Sequence, residues 1–459
     1  MNFYLRYCCA MCFALISFLL ATPQRAQAQT RKAYVVQSAD KTTLTFYYDD
    51  QRATRAGKSW GILERKYVSG EGAFPAWAGT SEEADTTTSR VVFDASFRDF
   101  RPTTTARWFC DYSELKQVEG VECLNTQNVT DMGGMFRDCS GLTSLDLSHF
   151  NTQNVTDMGW MFSGCSGLTS LDLSHFNTQN VTDMGWMFYG CSVLTSLDLS
   201  HFNTQNVTDM RWMFSGCSGL TSLDVSHFNT QKVTDMSSMF YGCSGLTSLD
   251  VSHFNTQKVT NMREMFFGCS GLTSLDISNF NTQKVIDMGS MFYGCSGLIS
   301  LDVKNFNTQN VTGMSWMFSG CAGLTSLDVK NFNTQNVTYM RDMFSDCSGL
   351  ASLDLSHFNT QYVIDMRAMF KGCAALTSID LKNFNTQNVI YMYEMFSGCA
   401  ALTTINSNTT WQCPESEGMF AGCTQLKGAV SYDENKVDAT MANPETGYFT
   451  AESTTLRTR

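Results

Sequence analysis

The sequence predicts an α/β repeat fold, a solenoid in which each 26-residue turn contributes one short parallel β-strand and one short helix. Three observations carry that prediction. A column of eleven cysteines runs from Cys139 to Cys399 at intervals of 26 residues, without insertion or deletion. A strict period of this length marks repeats that bury their apolar face only against their neighbours. Within one repeat two apolar spacings alternate. Leu142, Leu145 and Leu147 follow a strand-like spacing with Asp146 pointing outward, and Met132, Met135 and Phe136 follow a helical one. Both ends of the chain depart from the period, as they must if an open array end is to be covered.

Taken in order, residues 1–28 read as a secretory signal. Arg6 precedes an apolar stretch from Tyr7 to Ala21, and Ala26-Gln27-Ala28 supplies the cleavage site. Cys8, Cys9 and Cys12 lie inside that stretch rather than behind it, which argues against lipid attachment. The stretch is short for a bilayer, and no other segment reads as transmembrane. Residues 29–97 are non-repetitive and hold three strand-like runs, at 33–37, 43–48 and 90–93, so a small β-rich N-terminal capping module is expected. Residues 98–124 form a degenerate first turn, with Trp108-Phe109 in place of Met-Phe and Tyr112 in place of the cysteine. Residues 125–426 are the array itself. It closes on Met419-Phe420-Ala421-Gly422-Cys423, which restates the motif 24 residues after Cys399. Residues 427–459 are expected to cap the last turn and end in a tail.

Inside one repeat, Thr130 and Asp131 are the candidates to start the helix, and Gly164-Cys165 in the next copy would end it. Val129, Met132, Met135, Phe136, Cys139, Leu142, Leu145, Leu147 and Phe150 are the predicted interior. Eighteen cysteines in an exported chain would ordinarily suggest disulfides, but three fall in the signal and eleven occupy one column. That column reads as small buried apolar groups. Turns stacked about 5 Å apart leave bridges geometrically open.

The phrase L-x-x-L-x-L is a leucine-rich-repeat kernel. The full repeat, NTQNVTDMGWMFSGCSGLTSLDLSHF from Asn151 to Phe176, resembles the bacterial surface protein 26-residue repeat of the BspA-like leucine-rich-repeat family. The resemblance covers roughly 108–426. It implies a leucine-rich-repeat-like solenoid and an extracellular protein used for adhesion to host proteins or other microbes. One departure is visible: Phe150 stands where leucine-rich repeats place asparagine, and Asn151 follows it.

Because the repeats are internal copies, their columns can be compared. Asn-Thr-Gln is unvaried from Asn125 to Gln387, as expected of amides that hydrogen-bond along the stack. A candidate acidic stripe on the strand face comprises Asp146, Asp172, Asp198, Asp224, Asp250, Asp276, Asp302, Asp328, Asp354 and Asp380. It reads first as a solvated face and second as a site for a basic partner, since one carboxylate per turn is a poor calcium cage. All six histidines share one column with asparagines, which points to a turn role. The residue before the invariant Met-Phe varies from Gly to Trp to Glu and is therefore expected to be exposed. Trp160, Trp186, Trp212 and Trp316 occupy it, while Tyr189, Tyr241, Phe267 and Tyr293 occupy a neighbouring column. These eight are the candidate ligand-binding residues, either as a recognition strip or folded back over the methionines.

The formal charge is −12, and loss of Arg6 and Arg25 with the signal takes it to −14. Such a chain repels nucleic acid and anionic lipid. No nucleophile elbow, zinc-protease or phosphate-loop motif is present, so no enzyme, cofactor or metal is expected. The sequence therefore reads as a monomeric secreted or cell-surface binding protein, an adhesin for a protein or glycan of a host matrix or another microbe. The alternative is a structural spacer without a specific ligand.

Overall fold

A computed structural model describes residues 30–451. The signal expected over 1–28 and the end of the expected tail lie outside the described residues.

The N-terminal region forms a five-stranded sheet from β1 (Lys32–Gln37), β2 (Thr43–Asp49), β3 (Lys58–Gly61), β6 (Arg90–Phe93) and β7 (Gln117–Glu119), in the order β3-β1-β2-β6-β7. The three strand-like runs read from the sequence coincide with β1, β2 and β6. A separate antiparallel hairpin joins β4 (Arg65–Val68) to β5 (Gly72–Pro75). Alternation along β2 puts Leu44 and Phe46 inside. Phe46 stacks on Trp108 at 5.2 Å, and the indole N–H of Trp77 donates to the Trp108 carbonyl at 3.0 Å. The sheet is thereby welded to the degenerate first repeat, and one apolar core continues from Val35 to Phe449.

The repeats do not build the expected α/β solenoid with a helix and a strand per turn. Among the described residues the helices are four short 3₁₀ segments outside the regular repeats, of which the longest is Ala95–Asp99. The regular repeats hold only two strands, β8 (Ser378–Asp380) and β9 (Thr404–Asn406), which join β10 (Phe449–Thr450) in a parallel sheet at the C-terminal end.

The missing helix has a backbone cause. The Met135 N–H donates to the Met132 carbonyl at 3.1 Å and the Cys139 N–H to the Phe136 carbonyl at 3.3 Å, closing two successive β-turns. Each has a left-handed residue at its third position, Gly134 at φ +60° and Asp138 at φ +59°. Alternate N–H groups then point along the stack. Gly134, Phe136 and Asp138 donate to the carbonyls of Gly159, Met161 and Ser163 in the next repeat, at 2.6–2.9 Å. A helix would have used those donors within itself. The missing strand is a matter of spacing. Where L-x-x-L-x-L should pair, the N–H of Thr169, Thr221 and Ile299 lies 3.4–3.5 Å from the preceding repeat's carbonyl, beyond ordinary hydrogen-bond range. At the C-terminal end the equivalent Thr403–Thr377 distance is 2.9 Å, and strands form.

What joins the repeats instead is a run of single-residue parallel bridges 26 residues apart, from Asp131–Asp157 onward to Asp365–Tyr391, preceded by Thr104–Asp131 at the degenerate first turn. The inward column is as the apolar pattern requires, except that Leu145 is only partly buried. Phenylalanine rings stack from Phe109 to Phe420 with centroids 5.3–6.0 Å apart, so each repeat adds one ring to a continuous pile. All fifteen cysteines among the described residues are free. The Cys165 thiol donates to the Phe136 carbonyl at 3.1 Å, and burial pushes its pKa well up.

Candidate cleft on the turn face

The acidic stripe is a set of turn-builders. Each of its ten aspartates accepts, through Oδ1, the N–H two residues on: Ser148 to Asp146 at 2.9 Å, Lys304 to Asp302 at 3.1 Å, and likewise to Lys382 and Asp380. The hydroxyl and N–H of Ser148 hold the Asp146 carboxyl below the usual range. These side chains are exposed, apart from a half-buried Asp380. Among the described residues no group of three His, Cys, Asp or Glu is arranged to hold a metal ion. The six histidines are all exposed.

The Asn-Thr-Gln column works differently from the expected amide ladder. Threonine carries the axial bonds. The Thr126 hydroxyl donates to the Asn151 carbonyl at 3.0 Å and accepts the Asn151 N–H at 2.7 Å. The Asn151 amide oxygen instead closes its own turn by accepting the Gln153 N–H at 3.1 Å.

The aromatic candidates line the M-x-x-M-F turns, but they do not form one uninterrupted strip of tryptophans. Trp160 stacks on Trp186 at 4.5 Å. Trp212 turns instead to Tyr189 at 6.0 Å and Tyr241 at 5.8 Å, and Tyr241, Phe267 and Tyr293 then stack at 4.4 Å. The Arg211 guanidinium lies over the Trp186 ring and Arg341 over Trp316, each at 4.6 Å, and Arg137 lies over Trp160 at 5.4 Å. Ring faces are thus largely spent on neighbours and on guanidinium groups, which favours contact through ring edges. Trp160 is exposed and the other three tryptophans are half-buried. Every occupant of this column, including Ser238 and Ala368, is left-handed, with φ between +50° and +61°. Its tolerance of Gly, Trp and Glu reflects that backbone requirement as much as exposure.

Beside these rings runs a column that sequence reasoning treated only as a helix start. Asp131, Asp157 and Asp183 stand on adjacent repeats, and each carboxylate accepts the N–H two residues on, from Gly133, Gly159 and Gly185, at 2.8 Å. With Trp160, Arg107, Arg137 and the Gly70–Ala73 segment they line a cleft of about 680 Å³ between the hairpin and the array. Burial, then the flanking Asp131 and Asp183 carboxylates, pushes the Asp157 pKa up to about 6. The Gly159 N–H and Arg107 act the other way. A second cleft of about 600 Å³ uses the same columns further along, with Asp287, Asp365, Trp316, Arg263 and Arg341 in its lining. The signal for both clefts was present in the sequence. Two residues after this column stands Gly at 133, 159, 185 and 289 but Arg at 211, 263, 341 and 367, with Asn261 and Tyr339 in place of the aspartate before Arg263 and Arg341.

Among the described residues no helix is long and apolar enough to cross a membrane. Four overlapping segments, residues 103–222, 212–327, 260–353 and 314–433, match the family described as "Mycoplasma protein of unknown function, DUF285". Comparison with curated proteins gave no match. The match establishes a repeat protein of that family and says nothing of leucine-rich or BspA-like character.

Proposed function

The chain belongs to the DUF285 family, and we propose that it is a binding protein whose M-x-x-M-F turn face is its recognition surface. One observation carries this reading. The two large clefts, of about 680 and 600 Å³, open on the same repeat columns, and those columns change in chemical character while the buried ones stay apolar. A stack with a uniformly apolar interior and a variable open face suits recognition of an extended partner. The resemblance of the repeat to BspA-like surface proteins, and the signal-like first 28 residues, support action outside the cell as an adhesin for a host or microbial protein or glycan. Recognition without catalysis is the reading favoured by repeated side chains, since a catalytic constellation needs different groups converging at one place.

The test is saturable binding of the purified chain to host matrix proteins, a glycan array and intact microbial cells. Replacing Trp160, Trp186 and Trp212 together by Ala should weaken whichever interaction is found by about tenfold or more. Binding that is unchanged in a variant of unaltered thermal midpoint removes the aromatic turn face from the site. Absence of saturable binding across all three panels overturns the reading itself.

A further inference from the structure

We propose that the corner of the array at Lys232, Lys258 and Lys284 docks an extended acidic segment of a partner polypeptide, whose alternate Asp or Glu side chains meet successive lysines. This surface uses other columns of the repeat than the M-x-x-M-F turn face and is independent of it.

The lysines replace a residue with a structural task. In six repeats the same column holds an asparagine whose amide reaches back along the stack. Asn180 Nδ2 donates to the Gln153 carbonyl at 2.8 Å, and Asn310 Nδ2 to the Gln283 carbonyl at 2.8 Å. At 232, 258 and 284 that bond is given up on three adjacent repeats. Little replaces it. All three lysines are exposed. Lys232 Nζ donates to the Asn206 amide oxygen at 2.7 Å, while Lys258 and Lys284 make no hydrogen bond or ion pair with any described residue. In no other column of the array do Lys or Arg stand on three adjacent repeats, and the chain as a whole carries −12. A row of like charges that surrenders hydrogen bonds is unfavourable for the stack alone and suited to an anionic partner.

Beside the lysines runs a second unspent group. Eleven glutamines, one per repeat from Gln127 to Gln387, are exposed, and none of their side chains hydrogen-bonds a described residue. A carboxamide offers a donor and an acceptor together, the pair that an extended backbone can use. At Gln257 this column opens on a cleft of about 550 Å³, lined also by His253, Asn255, Asn279 and Asn281. Lys258 directly follows Gln257 in the chain. The Asp250 carboxylate, beside the cleft, is taken up by the Ser252 N–H at 3.0 Å and hydroxyl at 2.6 Å.

The spacing selects a polypeptide. Phe306 and Phe332 close adjacent repeats at this corner, in the column of the cleft-lining Phe254. Their rings are parallel within 3° and their centroids lie 6.4 Å apart, which measures the local step of the stack. At the M-F turns the step is shorter, with Phe240 and Phe266 5.7 Å apart. In an extended strand the side chains of one face recur about every 6.8 Å. Alternate acidic residues therefore keep register with three successive lysines to within about 1 Å over the row. Each exposed ion pair contributes little alone, so recognition depends on matching all three.

The experiment is calorimetry on the full chain at pH 7.5 and low salt. It compares a capped Glu-Ser-Glu-Ser-Glu peptide with capped Glu-Ser-Ser-Glu-Ser-Ser-Glu, of equal charge at the wrong spacing, and with polygalacturonate, an anionic polysaccharide. The first peptide should bind saturably, at least about threefold tighter than the second, and be released as salt is raised. Replacing Lys232, Lys258 and Lys284 together by Asn installs the residue that six repeats already carry. That variant should keep the parent's thermal midpoint and bind the first peptide at least about tenfold more weakly. The joint Ala variant of Trp160, Trp186 and Trp212 should bind it as the parent does, which separates this corner from the turn face. No saturable binding of the first peptide, equal affinity for both peptides, tighter binding of polygalacturonate, or an Asn variant that binds like the parent overturns the proposal.

Discussion

At the scale of single residues, the polar letters of the repeat are spent on backbone accounting. Thr230 shows the logic. Its hydroxyl accepts the Asn255 N–H at 2.7 Å and donates to the Asn255 carbonyl at 3.0 Å, so one buried oxygen serves two main-chain groups of the next repeat. Thr230→Val keeps the shape and removes both bonds. It should lower stability by about 2 kcal/mol, read as a shifted urea midpoint at unchanged slope, while Thr230→Ser stays near the parent. Equal midpoints for Val and Ser would show that water or a rearranged amide takes over the role. This threonine was visible in the sequence as an invariant letter, but its task was not. An invariant Asn-Thr-Gln triplet states that hydrogen bonds are needed and leaves open which of its side chains reaches the neighbour. The aspartates of the expected stripe, similarly, were legible as an exposed column, while their turn-closing bonds were not, since an exposed carboxylate leaves the same letter in the sequence whether or not it closes its own turn.

At the scale of the element, the M-x-x-M-F spacing fits two geometries. Apolar residues three and four apart share a helix face, and they also share the inner side of consecutive β-turns. Glycine decides between the two. The column of Gly134 and Trp160 and the column of Gly164 are four residues apart in every repeat, and both have positive φ. Two left-handed positions within one helical turn are incompatible with a helix. The glycine at 164 and its equivalents therefore carried the answer, but the tryptophans in the other column disguised it. Far-UV circular dichroism of the purified chain should accordingly lack the helical double minimum and be dominated by turn and sheet signal. A spectrum with one helix per repeat would reject the alternating-turn backbone. The cleft was hidden for the same reason: once Asp131 is assigned to a helix start, nothing directs attention to the Gly-to-Arg alternation two residues on.

At the scale of the whole molecule, the apolar pile from Phe109 to Phe420 can exist only if both ends are covered. At the N-terminal end Phe46 of the sheet and Trp77, just after the hairpin, do this. At the other end Tyr448 meets the Phe420 ring edge-on at 5.3 Å and Phe449 meets Trp411 at 4.9 Å, while β10 pairs with β9. A chain ending at Leu426 would leave Trp411, Phe420 and the β9 edge open together. Each large aromatic contributes about 1.5–3 kcal/mol when buried, so removing Tyr448 and Phe449 costs the last repeats roughly 3–6 kcal/mol. Repeats interact only with their neighbours, so the loss should be felt at that end and fade along the stack. Limited proteolysis of the shortened chain should therefore cut first between Cys373 and Leu426, with the region around Phe136 remaining protected. Light scattering should report self-association through the uncovered end. A shortened chain that stays monomeric and is cleaved no faster than the parent would mean that the repeats are self-sufficient and that residues 427–451 do not act as a cap.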